Sequence, residues 1–567
     1  MKKSVIMGVN WGGHDTSAAI MIDGEIVAAC EEERYNGEKH TRQFPINAIN
    51  DCLQIAKVGW PEVDVVSFAY KPKLLLNHYG PIRKMRRDLP TEQEFKEILG
   101  KQTGYFGKVE FHPHHLAHIA SAYFPSGFKN SLLMSNDGVG ERMCSMLAIG
   151  LSGDIKIAHY GNPWPNSLGL VYSSITYYLG WKPSYDEGIV MGLAPLGDSS
   201  CKIKVDGQEI TYLDLFRDII QIENNFDVKI NTDWIAFHEV RSKFVSDKFT
   251  NLFGPKRNWE DPIQESHKNI AAALQDRLEE VVLHMLKAAR SKYGFEKLCI
   301  AGGVGLNCSL NGRILEEKIF DEIFVQPGSG DNGLSIGACF LSRKRQINYL
   351  KPKKFHNFYL GHRDSDADIV RFLNETNHPY KKLHGDYSEV CHLLQDSNII
   401  GWCQGAAEFG PRALGNRSIL AKPAPKDIKD HVNARVKFRE PFRPFAPAVL
   451  EERASEWFNI EQESPHMLMA VQAKKEKAEE IEAVIHVDNS ARVQTVGDLN
   501  PQFKKLIEQF ETISGYPILL NTSFNVKGQP IVNDVSDAYQ CYMNTNLDAL
   551  VVGDYLLVKG DIKDERK

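Results

Sequence analysis

No apolar run in the 567 residues approaches the roughly 18 needed to cross a bilayer, which excludes helical membrane-spanning classes. The ten cysteines are scattered and form no Cys-x-x-Cys pair, so neither a zinc knuckle nor a secreted disulfide framework is indicated. A basic excess is missing too. Lys and Arg number 67 against 73 Asp and Glu, a formal charge of −6, whereas a duplex nucleic-acid binder would show a basic domain or stripe. The first apolar stretch, Val5 to Met7, is cut by Gly8 and Asn10 and is too short for a secretory signal. What remains is a globular composition, 43% hydrophobic and 25% charged. At roughly 100–200 residues per domain it is long enough for more than one folded unit. The expectation is a reduced, cytoplasmic protein with no membrane and no nucleic-acid partner.

The chain opens with a strand over Ser4 to Val9, a polar Gly-rich turn from Asn10 to Asp15, and a strand over Ser17 to Ile22. Asp23-Gly24 then gives a tight hairpin into Glu25 to Cys30. The same grammar returns at Ser131 to Ser135, Asn136 to Gly140, Met143 to Gly150, and Ile155 to His159, with Ser152-Gly153-Asp154 as the tight turn. Two copies with similar spacing predict a duplicated fold with a polar cleft. Helical spacing is present at 45–58, 91–100 and, most strongly, 262–292, where Ile270, Leu274, Leu278, Val281, Val282, Met285 and Leu286 share a face. Strands follow at Lys297 to Ala301 and Ile323 to Val325. Residues 200–260 read as a polar insertion. The basic, aperiodic stretch 342–354 marks a boundary, giving units 1–350 and 351–567, and the charged run Lys474 to Glu482 reads as a solvated helix face.

Three constellations could carry chemistry. Four of the 19 histidines fall between His112 and His118, and His114 and His118 are four apart, on one face of a helix. With Asp137 and Asp331 at Gly-rich strand ends they form a mixed nitrogen/oxygen donor set suited to Fe(II), Mn(II) or Zn(II). The Gly-rich turns Asn10 to His14, Asp137 to Gly140, Gly302-Gly303 and Gly328 to Gly333 each follow a strand, where backbone N–H groups can approach phosphate oxygens. Together they suggest a nucleotide cleft that draws on Asp137, Gly138, Gly302, Gly303, Asn307, Asp331 and Asn332. His14, in the first of these turns, is the candidate general base. In the second unit, Glu408 to Arg417, Lys437 to Phe445, Asp488 to Gln494 and Leu520 to Asn525 set arginines among Gly, Pro and Phe, as rigid forks for planar oxyanions.

Several stretches resemble the ATP-dependent O-carbamoyltransferases that include the nodulation-factor, tobramycin and cephamycin enzymes. They are Gly12 to Ala18, Glu31 to Arg34, His114 to His118, Met191 to Pro195, Ala301 to Cys308, Glu408 to Gly415, Arg439 to Pro447 and Leu520 to Asn525. They run in order along nearly the whole chain. The resemblance implies an α/β protein with two parts: a duplicated actin/sugar-kinase/Hsp70-like (Kae1-like) domain, then a YrdC/Sua5-like α/β domain. It implies that the second unit joins carbamate from carbamoyl phosphate to ATP, and that the first hands the carbamoyl group to a small hydroxylated acceptor.

Carried over by position, His14 would deprotonate the acceptor and Lys39 would contact the adenylate. His114, His118, Asp137 and Asp331 would hold Fe(II) or a substitute. Arg412, Lys437, Arg443 and Arg492, with Asn521 and Ser523 nearby, would hold carbamoyl phosphate and Mg-ATP. A homodimer is compatible with the resemblance. The chain departs from the family at Ala406-Ala407, where Arg is common, and at Ile189, where Lys is common. Two other activities fit the same folds: threonylcarbamoyl transfer to tRNA, and a small-molecule kinase, which would release ADP.

Overall fold

The computed structural model describes residues 3–76, 89–239 and 242–559. The chain divides into two compact units, one of Met1–Val27 with Arg42–Phe355 and one of Ala28–Thr41 with His356–Lys567. Residues 28–41, which the sequence gives no reason to separate from their neighbours, belong to the second unit.

The first unit contains two five-stranded sheets of the same topology, except that residues 28–31 at the end of β3 count with the second unit. In one, β1 (Val5–Asn10), β2 (Ser17–Ile22), β3 (Glu25–Glu31), β4 (Val65–Phe68) and β5 (Val109–Phe111) lie in the order β3-β2-β1-β4-β5. β1 is antiparallel to β2 and parallel to β4, and β4 is parallel to β5. Two hairpins, β9 (Lys202–Val205) with β10 (Gln208–Thr211) and β11 (Ile220–Ile222) with β12 (Val228–Ile230), occupy the insertion. The other large sheet is made of β6 (Asn130–Asn136), β7 (Ser145–Leu151), β8 (Asp154–His159), β13 (Lys297–Ala301) and β14 (Glu322–Val325), ordered β14-β13-β6-β7-β8. Again the first strand is antiparallel to the second and parallel to the strand that returns after a helix. The duplication expected from the repeated turn grammar is therefore a duplication of topology.

β1 is buried on both faces, as a central strand of a helix-covered sheet should be. The helix Leu334–Ile347 lies so close to it that a Cβ on Gly8 would sit 2.0 Å from the Ser335 carbonyl oxygen. The long helix spans Glu265–Tyr293 and buries Ile270, Leu274, Leu278, Val281, Val282 and Leu286, as its spacing predicts. The linker expected from 342 onward is in its first part helical, to Ile347. Lys344 and Arg345 are the last-turn cations that suit a helix C-terminus, and Asn348 closes it in the left-handed region. The run 474–482 is not one helix face: a 3₁₀ segment, Ala478–Val484, is kinked at buried Ile481.

The second unit is built on one mixed nine-stranded sheet. Its strands are β15 (Lys381–Lys382), β16 (Ile400–Cys403), β17 (Arg417–Ala421), β18 (Ala446–Leu450), β19 (Met469–Gln472), β20 (Ser490–Val496), β21 (Ile518–Ser523), β22 (Ala549–Val552) and β23 (Tyr555–Val558). Their order is β15-β23-β22-β16-β17-β21-β18-β20-β19. The helices Ser388–Gln395 and Pro501–Ser514 supply Val390, Leu394, Leu506, Ile507 and Phe510 to a core closed by Trp402. Among the described residues no helix is long and apolar enough to cross a membrane.

Candidate functional sites in the two units

In the first unit, His114 and His118 lie on the helix His114–Ser126. The residue before it, Pro113, has no side chain able to cap it, and Glu141 takes that role. Its carboxylate accepts the His114 backbone N–H at 3.1 Å and also that of Lys71 at 2.8 Å, placing negative charge at the positive end of the helix. The helix turn then aims both imidazoles the same way, and their Nε2 atoms are 3.1 Å apart.

Asp137 follows β6 and Asp331 follows β14, both in Gly-bearing loops. His114 Nε2 is 3.0 Å from Asp137 Oδ2, and His118 Nε2 is 3.6 Å from Asp331 Oδ1. One ligand atom from each of the four residues lies within 4.8 Å of all the others. The carboxylates are oriented from behind: the Gly303 N–H donates to Asp137 Oδ1 at 2.9 Å, and the Tyr70 hydroxyl donates to Asp331 Oδ2 at 3.0 Å. Gly302, at φ +89°, is required here, because a Cβ would lie 2.2 Å from the Asn136 carbonyl oxygen.

Burial opposes a charge on His118, but hydrogen bonds to Asp137 and Asp331 outweigh it and raise its pKa to about 9. The neighbouring histidines differ. His115 is enclosed by Ser135 Oγ and the Met143 carbonyl, and burial together with His114 and His118 pushes its pKa down to about 3. His112 meets Ser342 Oγ at 2.9 Å and is pushed to about 3, chiefly by burial. Of the four clustered histidines, two therefore converge on the carboxylates and two serve the fold.

His14 stands in the turn after β1, with Nδ1 2.6 Å from Asp15 Oδ2. Asp15 takes a left-handed backbone, φ +55°, and its carbonyl accepts from Asn10 Nδ2 at 2.9 Å. Burial alone would lower the His14 pKa; Asp15, then Asp331 and Asp137, raise it to about 9. Tyr185 lies 6.4 Å from the His14 ring, with the Lys182 ammonium over its own ring. Asn307 is occupied by the fold, capping the next helix through Leu310 N–H and bonding Gln275. Asn332 offers its carbonyl to Ser17 Oγ and Ser335 Oγ and its side-chain oxygen to the Gly333 N–H.

In the second unit, Lys437 ends a π-helical turn, Asn433–Lys437, with Phe438 in the left-handed region after it. Its buried ammonium donates to Ser523 O at 2.6 Å, Ser523 Oγ at 3.1 Å and Asn525 Oδ1 at 2.7 Å. Burial, then Arg439, Arg443 and Lys39 among its neighbours, holds its pKa well below the usual lysine range. Arg439 is depressed likewise by burial, Arg443 and Arg492. It lies over the Phe445 ring and donates to Asn433 Oδ1 at 2.9 Å. The Arg492 Nε is buried without a partner among the described residues, and Arg443 faces Glu440 at 3.6 Å. Asn521 Nδ2 donates to Gln494 Oε1 and to the Ala413 carbonyl, tying the residue after Arg412 to β21.

Buried Lys437 and half-buried Arg439, Arg443 and Arg492 thus form a cationic cluster, to which exposed Lys39 adds charge from the 28–41 excursion. Arg439 and Asn525 stand inside the stretches the sequence marks, but neither is among the individual residues the resemblance assigns. Tyr70 and Glu141 carry no spacing signal at all. Arg417 is a different case: its guanidinium is fully committed to the carbonyls of Gln404, Gly405, His362 and Asn533, which makes it part of the fold.

These features define an α/β protein of two units, the first a topological duplication with a two-His, two-Asp cluster, the second carrying a cationic cluster. Residues 5–340 match the carbamoyltransferase N-terminus family and residues 391–559 the carbamoyltransferase C-terminus family. The chain belongs to the carbamoyltransferase family. It is 36% identical over 563 residues to nodulation protein NolNO of Sinorhizobium fredii (strain NBRC 101917 / NGR234), covering 96% of this chain and 79% of that one. An uncharacterised protein of Synechocystis sp. (strain ATCC 27184 / PCC 6803 / Kazusa) is 36% identical over 98% of this chain and 96% of its own. Among solved structures, component A of (R)-2-hydroxyglutaryl-CoA dehydratase from Acidaminococcus fermentans is 13% identical. It covers 60% of this chain and 98% of its own, with a TM-score of 0.33.

Proposed function

We propose that the protein is an ATP-dependent O-carbamoyltransferase, forming carbamoyl adenylate in the second unit and using it in the first. The observation that carries this reading is the cationic cluster of the second unit. Buried Lys437 and half-buried Arg439 have pKa values depressed by desolvation and by neighbouring cations, an arrangement that costs free energy until an anion with several oxygens enters. Carbamoyl phosphate and the triphosphate of Mg-ATP are such anions. Water cleaves carbamoyl phosphate into phosphate and carbamate. A carbamate oxygen attacks the α-phosphorus of ATP, and pyrophosphate leaves.

In the first unit the hydroxyl oxygen of a small acceptor attacks the carbamoyl carbon, the bond to AMP breaks, and the hydroxyl proton goes to the neutral form of His14, the minor form below about pH 9. With Nδ1 held by Asp15 at 2.6 Å, Nε2 is the nitrogen left for that proton. The donor set of His114, His118, Asp137 and Asp331 fits Fe(II), Mn(II) or Zn(II), and a bound ion would supply a Lewis acid toward a phosphoryl oxygen of the leaving AMP. Asp137 and Asp331, oriented by Gly303 and Tyr70, would hold that ion against the imidazoles.

Two variants test the division of labour. His14→Ala should abolish carbamoylation of hydroxylated acceptors while leaving carbamoyl phosphate-dependent ATP–pyrophosphate exchange within about twofold of wild type, since general-base removal typically costs about 10²–10⁴-fold in the proton-transfer step alone. Arg492→Ala should block exchange yet leave transfer from supplied carbamoyl adenylate. Loss of both reactions in either variant would contradict the assignment, and ADP as the nucleotide product would show a kinase.

A further inference from the structure

The second unit is not drawn from the C-terminal sequence alone. Residues 28–41 enter it, and their hydrogen bonds converge on the turn that precedes Arg412. Arg34 Nη2 donates to the Gly410 carbonyl at 2.9 Å, and the Gly410 N–H donates to Glu31 Oε2 at 3.3 Å. Arg34 Nε closes the triangle on the same Glu31 oxygen at 3.0 Å. Both sides of one residue are thus gripped by a buried ion pair three positions apart at the end of β3. Gly410 has φ +118°, a conformation that only glycine adopts without strain, so the grip acts on a turn with a defined shape.

The other end of the same loop is fixed from inside. Glu408 Oε1 accepts the N–H groups of Leu414, Asn416 and Arg417 at 2.7, 2.9 and 3.0 Å. Glu408 is 1% exposed and Arg34 6% exposed, and Glu408 Oε2 and Arg34 Nη1 each lack a partner among the described residues. Arg412 lies between the two anchor points, and Ala413 is tied to Asn521 on the strand that ends in Ser523, a Lys437 partner.

We propose that Arg34 and Glu31 are positioning residues for adenylate formation: by holding both sides of Gly410 they set the turn that presents Arg412 to the anion. This rests on the reading of the second unit as the adenylate-forming one. A C-terminal fragment that begins at the second run of this unit would accordingly lack part of its own site.

The test is carbamoyl phosphate-dependent ATP–pyrophosphate exchange by the full chain, with thermal unfolding recorded alongside. Wild-type protein without exchange would refute the adenylate reading itself, separately from the clamp. Given wild-type exchange, Arg34→Ala should raise KM for carbamoyl phosphate or lower exchange by about 10- to 100-fold, the range that charge-assisted hydrogen bonds supply. Added guanidinium at millimolar concentration should restore part of it, and leave wild type unchanged. Arg34→Lys keeps the charge beside Glu31 without the two-pronged reach, should fold as wild type does, and should show an intermediate loss; it carries the test if Arg34→Ala melts too early to assay. Folded variants exchanging within about twofold of wild type, or a loss that guanidinium does not relieve, would overturn the proposal.

Discussion

At the scale of single residues, charge at the His114, His118, Asp137 and Asp331 cluster should make the protein's stability depend on pH and on cations together. His118 and His14 are both raised to about 9 by carboxylates, against an ordinary value near 6.5. A raised histidine stabilises the fold fully below the unfolded value of about 6.5 and loses that contribution as pH rises through 9. Metal-free protein should therefore lose thermal stability between about pH 6.5 and 9, and added Mn(II) or Zn(II) should abolish or reverse that loss, because a cation takes over the carboxylates and needs neutral imidazoles. A melting temperature that is flat with pH and indifferent to the ions would contradict the assignment. On the acid side the sign is opposite. His112 and His115, each held near 3, stabilise above about 6.5 and lose that contribution as pH falls towards 3. Tyr70→Phe removes only the hydrogen bond to Asp331, and should weaken ion affinity about 10- to 100-fold with little change in melting temperature. The sequence shows His114 and His118 by spacing and the two aspartates by their strand-end turns. What it leaves open is what His112 and His115 do, because that lies in what each ring meets across the fold: Ser342 for one, Ser135 and Met143 for the other.

At the scale of elements, the two-histidine face exists because a helix begins at the right residue, and Glu141 supplies the N-terminal hydrogen bond that Pro113 cannot. Glu141→Ala should lower the unfolding free energy by about 1–2 kcal/mol in denaturant titration and weaken ion binding, while an exposed control such as Glu97→Ala should do neither. The strands and the long helix were legible, since periods of two and of three to four residues report burial directly: Ser17–Ile22 and Glu265–Tyr293 fall where the pattern places them. The end of Leu334–Ile347 was not, because its outward cations and Asn348 closure read locally as a linker. The run 474–482 misleads for a related reason. Its charges suit a solvated helix, but Ile481 turns inward and the segment kinks to bury it.

At the scale of the whole molecule, the duplication announced by two polar turns is a repeat of sheet order, and this was readable from the turn grammar. The path of residues 28–41 was not. Glu31-Glu-Glu-Arg34 carries the charge of an ordinary surface segment, and only tertiary contacts show the buried Glu31–Arg34 pair closing on Gly410. The central claim, that carbamate is activated by ATP before any acceptor is touched, is tested most directly by incubating the full chain with ATP, carbamoyl phosphate and labelled pyrophosphate, with no acceptor present. Label should enter ATP only when carbamoyl phosphate is supplied, and AMP should accumulate once a hydroxylated acceptor is added. Carbamate ester formed while ATP stays intact would contradict the account.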